Sequence, residues 1–309
     1  MSPMPMTTPP TVVFGGTGFL GAVLVRELVE SGRPTRLVAR RPRWPSWAED
    51  GDPLEILEAD IRDPRRVAEA LEGAGAVVNA TSLYVASRNV GFEDIHVTAA
   101  AALARQAREA GIERLVQLSG IGASRDSASA YVRARAHGEI AVMDALPKAV
   151  ILRPSVLFGR NDAFLSNLAR LTRLPAIPLF GQGHNRLQPV HVVDVARAIV
   201  RLTSADRPGR YLFELGGADI LSYREVLTLV MQHLGRERPL VPLPFAAWHA
   251  LAHGLGWLPE PPLTRDQVIL MQSDNLVSEG VGTFADLGMQ PRTLRESLPA
   301  CLPLASTRA

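Results

Sequence analysis

The sequence predicts an α/β protein: a doubly wound parallel sheet carrying a smaller, mostly helical C-terminal lobe. Three observations predict it. Strand-like and helix-like runs alternate through the first half of the chain. The first strand and helix are joined by a glycine turn, Gly15-Gly16-Thr17-Gly18-Phe19-Leu20-Gly21. Beyond Pro154 the alternation loosens into helical runs separated by prolines. Repeated βα units imply helices on both faces of a parallel sheet, joined by right-handed crossovers.

The elements follow in order. Thr11–Phe14 is an apolar strand, and Phe19–Glu30 is a helix that starts directly after the turn. Thr35–Ala39 and Leu54–Glu58 are short β runs. Asp63-Pro64 signals the start of a helix over Arg65–Leu71. Ala76–Asn79 is strand-like, and Phe92–Ala110 is a long Ala-rich helix stopped by Gly111. Arg114–Leu118 is a strand and Ala130–Ala145 a helix. Lys148–Arg153 is a strand closed by Pro154. Phe164–Leu174 reads as a helix and Pro175–His184 as a Pro/Gly-rich loop. Val192–Thr203 is helical, Tyr211–Leu215 is a strand, and the remainder reads as helices. This divides the chain into a disordered lead (1–10), a dinucleotide-binding unit (11–160 and 186–215), a small lobe (161–185 and 216–300) and a tail (301–309).

Composition narrows the class. The chain has 309 residues, 47% hydrophobic and 21% charged, as in a globular protein. Net charge is +2, with Arg and acid interleaved, so no basic stripe recommends nucleic acid. Lys148 is the sole lysine. The single cysteine, Cys301, excludes an internal disulfide and fits a cytoplasmic location. Met1–Pro10 has neither the basic nor the apolar region of a signal peptide. Pro239–Pro259 carries no Asp, Glu, Lys or Arg. Prolines break it, so residues 245–258 read either as a buried, substrate-lining helix or as an interfacial one touching the inner face of a membrane.

The turn carries the chemistry. One glycine permits the tight turn, one lets the backbone approach a pyrophosphate, and one lets helix pack on strand. The pyrophosphate then faces the free N–H groups of Thr17, Gly18, Phe19 and Leu20 at the positive helix end. The second strand ends Ala39-Arg40-Arg41, where an acid would bind the 2′-hydroxyl of NAD and an arginine the 2′-phosphate of NADP. Arg40 first, and Arg41 second, therefore favour NADP(H) over NAD(H), unless both are solvated surface charges. Asp60, followed by Ile61, either accepts from the adenine amino group or caps the next turn. Asn79-Ala80-Thr81 ends the fourth strand, where Asn79 either lines the cofactor or holds the backbone.

These residues together resemble the short-chain dehydrogenase/reductase superfamily, in its extended and atypical branches, whose fold is Rossmann-type. Ser119 after the fifth strand and Tyr131 opening the next helix match in order. So do Arg153-Pro154-Ser155-Val156-Leu157-Phe158-Gly159, which resembles the segment beside the nicotinamide, and Pro189–Ala196, which resembles the segment returning to the sheet. More narrowly, Ser129–Arg133, Phe158–Asp162 and Pro262–Gln267 resemble bacterial relatives of the nucleotide-binding accessory subunit of respiratory complex I.

The resemblance implies a tyrosine acid/base with a lysine four residues on and an upstream serine. Such a tyrosine must fall from its usual pKa near 10, and a cation one helical turn away would lower it. Here the tyrosine is Tyr131 and the serine Ser119, but the lysine position holds Arg135. Arginine keeps the charge and could bond ribose hydroxyls, yet its planar head does not copy an ammonium. The alternatives are a half-buried aromatic, a strand-closing serine and a solvated helix charge. His137 reads as a surface histidine. No metal-site pattern, P-loop or Gly-x-Ser-x-Gly is present. The expectation is an NADP(H)-dependent oxidoreductase acting on a small apolar carbonyl or alcohol. The alternative is a non-catalytic NADP(H)-binding accessory protein of a respiratory or quinone-linked system.

Overall fold

The computed structural model describes residues 8–87, 89–204, 209–258 and 263–303. Most of the expected lead and tail lies outside them. The first half runs β1 (Thr11–Phe14), α1 (Phe19–Glu30), β2 (Thr35–Ala39), β3 (Leu54–Glu58), α2 (Pro64–Leu71) and β4 (Ala76–Asn79). It continues through α3 (Ala100–Glu109), β5 (Leu115–Leu118), α4 (Ala130–Ala145) and β6 (Val150–Pro154). Then come β7 (Leu157–Phe158), α5 (Ala163–Leu171), β8 (Ile177–Phe180), β9 (Arg186–Leu187), β10 (Val190–His191), α6 (Val192–Leu202) and β11 (Leu212–Leu215). The chain closes with β12 (Leu221–Ser222), α7 (Tyr223–His233), β13 (Leu240–Leu243), α8 (Phe245–Leu255), α9 (Arg265–Leu270) and α10 (Leu294–Cys301).

Among the described residues, a seven-stranded parallel sheet has the order β11-β6-β5-β4-β1-β2-β3. Strand order reverses between β1 and β4, so the crevice beyond their carboxyl ends is where such sheets hold ligands. The two-residue period of a strand sorts β1 between two cores. Val13 joins Leu24 and Leu28 of α1 and Val195 and Ile199 of α6 on one face. Val12 and Phe14 join Val67, Leu103 and Val142 of α2, α3 and α4 on the other. A third core gathers Phe158, Leu165, Ile177, Leu179, Val226 and Leu298 from the C-terminal elements.

Three expectations fail here. The run Pro175–His184 is not all loop, because Ile177–Phe180 forms β8 and pairs in parallel with β13. Pro178 and Pro242 read as breakers in the sequence. A two-stranded ribbon has only edges, so it tolerates residues without an N–H. The expected helix over Phe92–Ala110 is also interrupted. Asp94–Ala99 is π-helical before α3 begins. The wider turn presses the His96 carbonyl against α4, where a Cβ on Gly138 would lie 1.9 Å from it. The remainder beyond 215 likewise contains strands, β12 and β13, besides helices.

Candidate dinucleotide site

The glycine turn is built by close approach. Gly15 has φ +77°, and a Cβ there would sit 2.8 Å from the Ala80 carbonyl carbon. A Cβ on Gly21 would meet the Gly15 oxygen at 2.1 Å. Gly18 is the N-cap of α1 and donates to the Gly15 oxygen at 2.9 Å. No side chain caps this helix and no acid stands in its first turn. The amides of Phe19 and Leu20 have no acceptor within the helix, which leaves a cradle for an anion. Thr17 and Phe19 are exposed at the turn, whereas Leu20 packs into the core.

Thr17 also lines a cavity of about 790 Å³ with Arg40, Arg41, Asp60, Asp63 and Arg66. Arg40 and Arg41 are exposed and make no ion pair or hydrogen bond among the described residues. Glu58 also lines the cavity and is exposed, whereas Asp60 and Asp63 are engaged locally. Asp60 accepts from the Arg62 backbone at 2.9 Å and pairs with its guanidinium at 2.7 Å. Hydrogen bonds from Arg62 hold the Asp60 carboxyl below its usual range. Asp63 caps α2 through the Arg65 and Arg66 amides. Asp60 thus caps its own turn, one of the two roles its sequence position allows. Ile61 is buried in the core beside it.

At the end of β4, Asn79 is buried and donates to Gln117 Oε1 at 2.9 Å. Its own oxygen accepts from the Thr81 amide at 3.2 Å. Asn79 therefore holds the Ala80-Thr81 backbone against the glycine turn, where the Ala80 amide donates to Phe14.

Tyr131 and Arg135 lie one turn apart on α4, which is capped by Ser129. Both are buried, at 9% and 8% exposure, so neither is a half-buried aromatic or a solvated charge. The guanidinium sits 4.9 Å from the Tyr131 ring centroid and donates to Ser82 Oγ at 3.0 Å. Its Nε and Nη1 are buried without a partner, and so is Ser119 Oγ. Tyr131 is boxed by Tyr84, Phe92 and His96, with centroids 5.6–5.7 Å away. Burial pushes the Tyr131 phenol above its ordinary value, and Arg135 draws it back only in part. That is opposite in direction to what the family's acid/base needs. The structure brings Tyr131 and Arg135 together on α4, and Ser119 is buried at the end of β5. Sequence reasoning missed Ser82, Tyr84, Phe92 and His96, which arrive from the loop after β4 and the π-helical turn.

The segment after β6 is pinned from the C-terminal side. Ser155 donates to Asn275 Oδ1 at 2.6 Å, and Asn275 Nδ2 donates to the Ile121 carbonyl at 3.3 Å. Asn275 carries no local motif, so no sequence signal marks it. Pro154 closes β6 and accepts from the Ile121 amide at 3.2 Å; Val156 packs on the third core. His137 is exposed and lies 3.6 Å from Glu93. Cys301 is buried and faces His191 Nε2 at 3.5 Å. His191 Nδ1 accepts from the Val193 amide, so the ring proton sits on Nε2 and the imidazole is no base for the thiol. Burial pushes that thiol up to about 11.

The uncapped helix start, the glycine-dependent approaches and the orphaned atoms of Ser119 and Arg135 all fit a dinucleotide. Relatives agree with this geometry. The chain is 35% identical to "NADH dehydrogenase [ubiquinone] 1 alpha subcomplex subunit 9, mitochondrial" of Arabidopsis thaliana, over 92% of this chain and 74% of that protein. The Mus musculus protein of the same name is 31% identical over 91% and 76%. A ceramide reductase of Caulobacter vibrioides is 32% identical over 75% and 73%. Among solved structures, MoeE5 in complex with UDP-glucose and NAD superposes with a TM-score of 0.69 at 22% identity, covering 94% and 97%. UDP-glucose 4-epimerase of Thermotoga maritima gives 0.70 at 16%, with the same coverage. These two share the fold. The family model for NAD dependent epimerase/dehydratase matches residues 11–216, which span the glycine turn, Tyr131 and β11. By that match and these relatives, the chain belongs to the NAD dependent epimerase/dehydratase family.

Proposed function

We propose that this chain is an NADP(H)-binding accessory protein of a respiratory or quinone-linked assembly, in which the dinucleotide is a held ligand. The observation that carries the NADP(H) preference is that Arg40 and Arg41, exposed and in no ion pair or hydrogen bond among the described residues, line one cavity with Thr17 of the glycine turn, Arg40 acting on Asp60 by charge alone. Asp60 and Asp63 serve a local pair and cap, which leaves Arg40 and Arg41 to meet a 2′-phosphate in the cavity they share with Glu58. The residues that would hold the dinucleotide are the amides opening α1, Arg40 and Arg41, and Arg135 on the ribose side. Bound there, it would supply hydride chemistry only if Tyr131 could exchange protons. Burial favours the protonated phenol, which weakens Tyr131 as a base. The subunits named above, which this chain resembles along nine-tenths of its length, support the accessory reading.

A second reading rests on Ser119 and Tyr131 both being buried at the positions the family's chemistry uses, and on the likeness to the ceramide reductase. It makes the chain an NADP(H)-dependent oxidoreductase of a small, mostly apolar carbonyl or alcohol. One experiment separates the two. Calorimetric titration with NADPH and NADH is followed by NADPH oxidation over a carbonyl panel, with Tyr131→Phe as control. Binding without oxidation supports the accessory reading. Oxidation that Tyr131→Phe abolishes supports the reductase, and binding of neither nucleotide sinks both.

A further inference from the structure

The helix α8 is clamped on one side and bare on the other. Its inner face is fixed: Trp248 is buried, stacks on Phe180 at 4.3 Å between centroids and donates from Nε1 to the Leu179 carbonyl at 2.9 Å. That anchorage fixes which side faces outward. The outer side presents Ala246, Ala250, Leu251, Gly254, Trp257 and Leu258, all exposed. Trp257 is 89% exposed, and Leu251 and Leu258 are each 48% exposed. Water-exposed helices normally carry charge on this side, and a contiguous apolar patch marks a surface that is covered in use.

The occupant follows from charge and shape. A groove between α8 and α9 adjoins this face, lined by His249, His253, Trp257, Leu263, Arg265 and Ile269 among others. Among the described residues no carboxylate lines it, and Arg265 is its formal charge. Asp266, next to Arg265, is taken by a hydrogen bond from Ser129. Glu237, paired in sequence with Arg238, and Glu260 bound the uncharged stretch at its ends. The largest apolar side chain protrudes from the groove rim instead of lining a closed cavity, which suits a broad surface better than a single small ligand. Tryptophan beside a cation is the pairing favoured at the headgroup level of a bilayer. Among the described residues no helix is long and apolar enough to cross a membrane, so the contact lies along the surface.

We infer that α8 and the Trp257 turn dock on an anionic bilayer surface, with Leu251, Trp257 and Leu258 entering the interface and Arg265 meeting headgroup anions. The face continues toward the candidate site. Ala128 lines the groove, and Tyr131 follows three residues later in the same helix start.

The test is flotation of the full chain with vesicles of phosphatidylcholine and phosphatidylglycerol, and with phosphatidylcholine alone. The proteins compared are wild type, Arg265→Ala and the double variant Leu251→Asp/Trp257→Asp. Circular dichroism and NADPH titration report folding and the dinucleotide site separately from lipid binding. The expected result is flotation with the anionic vesicles, weakened in Arg265→Ala. The double variant should bind at least about tenfold less, since two interfacial apolar side chains are lost. Wild type that stays in the soluble fraction, equal flotation on neutral vesicles, or a double variant that floats like wild type overturns the proposal. So does a wild-type dimer that the double variant dissolves, which would make the face a self-interface.

Discussion

The Arg135 guanidinium lies 4.9 Å from the centroid of the Tyr131 ring, one helical turn further along α4. The cation that should activate the tyrosine thus meets its ring while both are buried. Two opposing effects act on the phenol, and burial wins. An ultraviolet titration should show two tyrosines, Tyr131 and Tyr223, ionising above the ordinary value near 10, with Tyr131→Phe assigning the first. In Arg135→Ala the Tyr131 phenol should move further up, because the remaining cation that favours phenolate is gone. A downward movement would reverse the assignment.

Selectivity should reside in Arg40. The Arg40→Ala variant should lose roughly tenfold or more in NADPH affinity, the scale of one charge-assisted phosphate contact. NADH affinity should change little, because that ligand carries no 2′-phosphate. Titration of both nucleotides against both proteins checks this. An equal loss for the two would place Arg40 on the pyrophosphate or outside the site.

Gly21 should tolerate no side chain. Its Cβ would lie 2.1 Å from the Gly15 oxygen, a backbone atom that cannot swing aside. Gly21→Ala should cost more than about 2 kcal/mol and weaken dinucleotide binding, since relieving the clash displaces the turn. Gly32, which unlike Gly21 has positive φ (+72°) but has no atom within 4 Å of a Cβ, is the control. Gly32→Ala should destabilise modestly, by about 1 kcal/mol, and leave binding intact. Chemical denaturation with and without NADPH distinguishes the two variants.

The contrast between these glycines shows what was legible. The strand, turn and helix from Thr11 to Glu30 were readable because the chemistry is local: each glycine answers to a neighbour within about seven residues or to the adjoining strand. The pairing of Tyr131 with Arg135 was readable because one turn of one helix separates them. Their electrostatics were not. The box of Tyr84, Phe92 and His96 is assembled across more than thirty residues, and burial, which decides the phenol, is a tertiary quantity. Asn275 reaches Ser155 from 120 residues away for the same reason. The β8–β13 ribbon was hidden because Pro178 and Pro242 stop strands in most settings and are harmless only at an edge.

Arg153 ties the helix carrying Tyr131 to the sheet. It donates to both Glu139 oxygens, at 2.8 and 2.5 Å, and to Glu214 at 3.1 Å. Glu139 and Glu214 are 5% and 2% exposed. Removing the cation would strand two buried carboxylates, so Arg153→Ala should cost about 3–5 kcal/mol. Replacing both acids as well, in Arg153→Met/Glu139→Gln/Glu214→Gln, should recover part of that loss. Denaturant midpoints of the two variants test it. Equal stability in Arg153→Ala and wild type would show that the network contributes nothing.

His96 should make the protein acid-sensitive in a defined window. It is 3% exposed, and burial, with Arg135 nearby, lowers its pKa from 6.5 to about 4. The folded state therefore takes up this proton less readily than the unfolded chain. Above about pH 6.5 neither state is protonated and the group is neutral in its effect. As pH falls from 6.5 toward 4, the unfolded chain gains the proton alone and folding stability drops. Below 4 both states are protonated and the loss levels off. The full loss is roughly 3 kcal/mol, from the size of the shift. Burial also lowers the pKa of His191, so wild type alone mixes two contributions. The comparison with His96→Asn isolates one of them. The stability difference between wild type and variant should narrow by roughly that amount between pH 7 and pH 4, read from denaturant midpoints. A difference that stays constant across the window would mean that His96 titrates as it does in the unfolded chain.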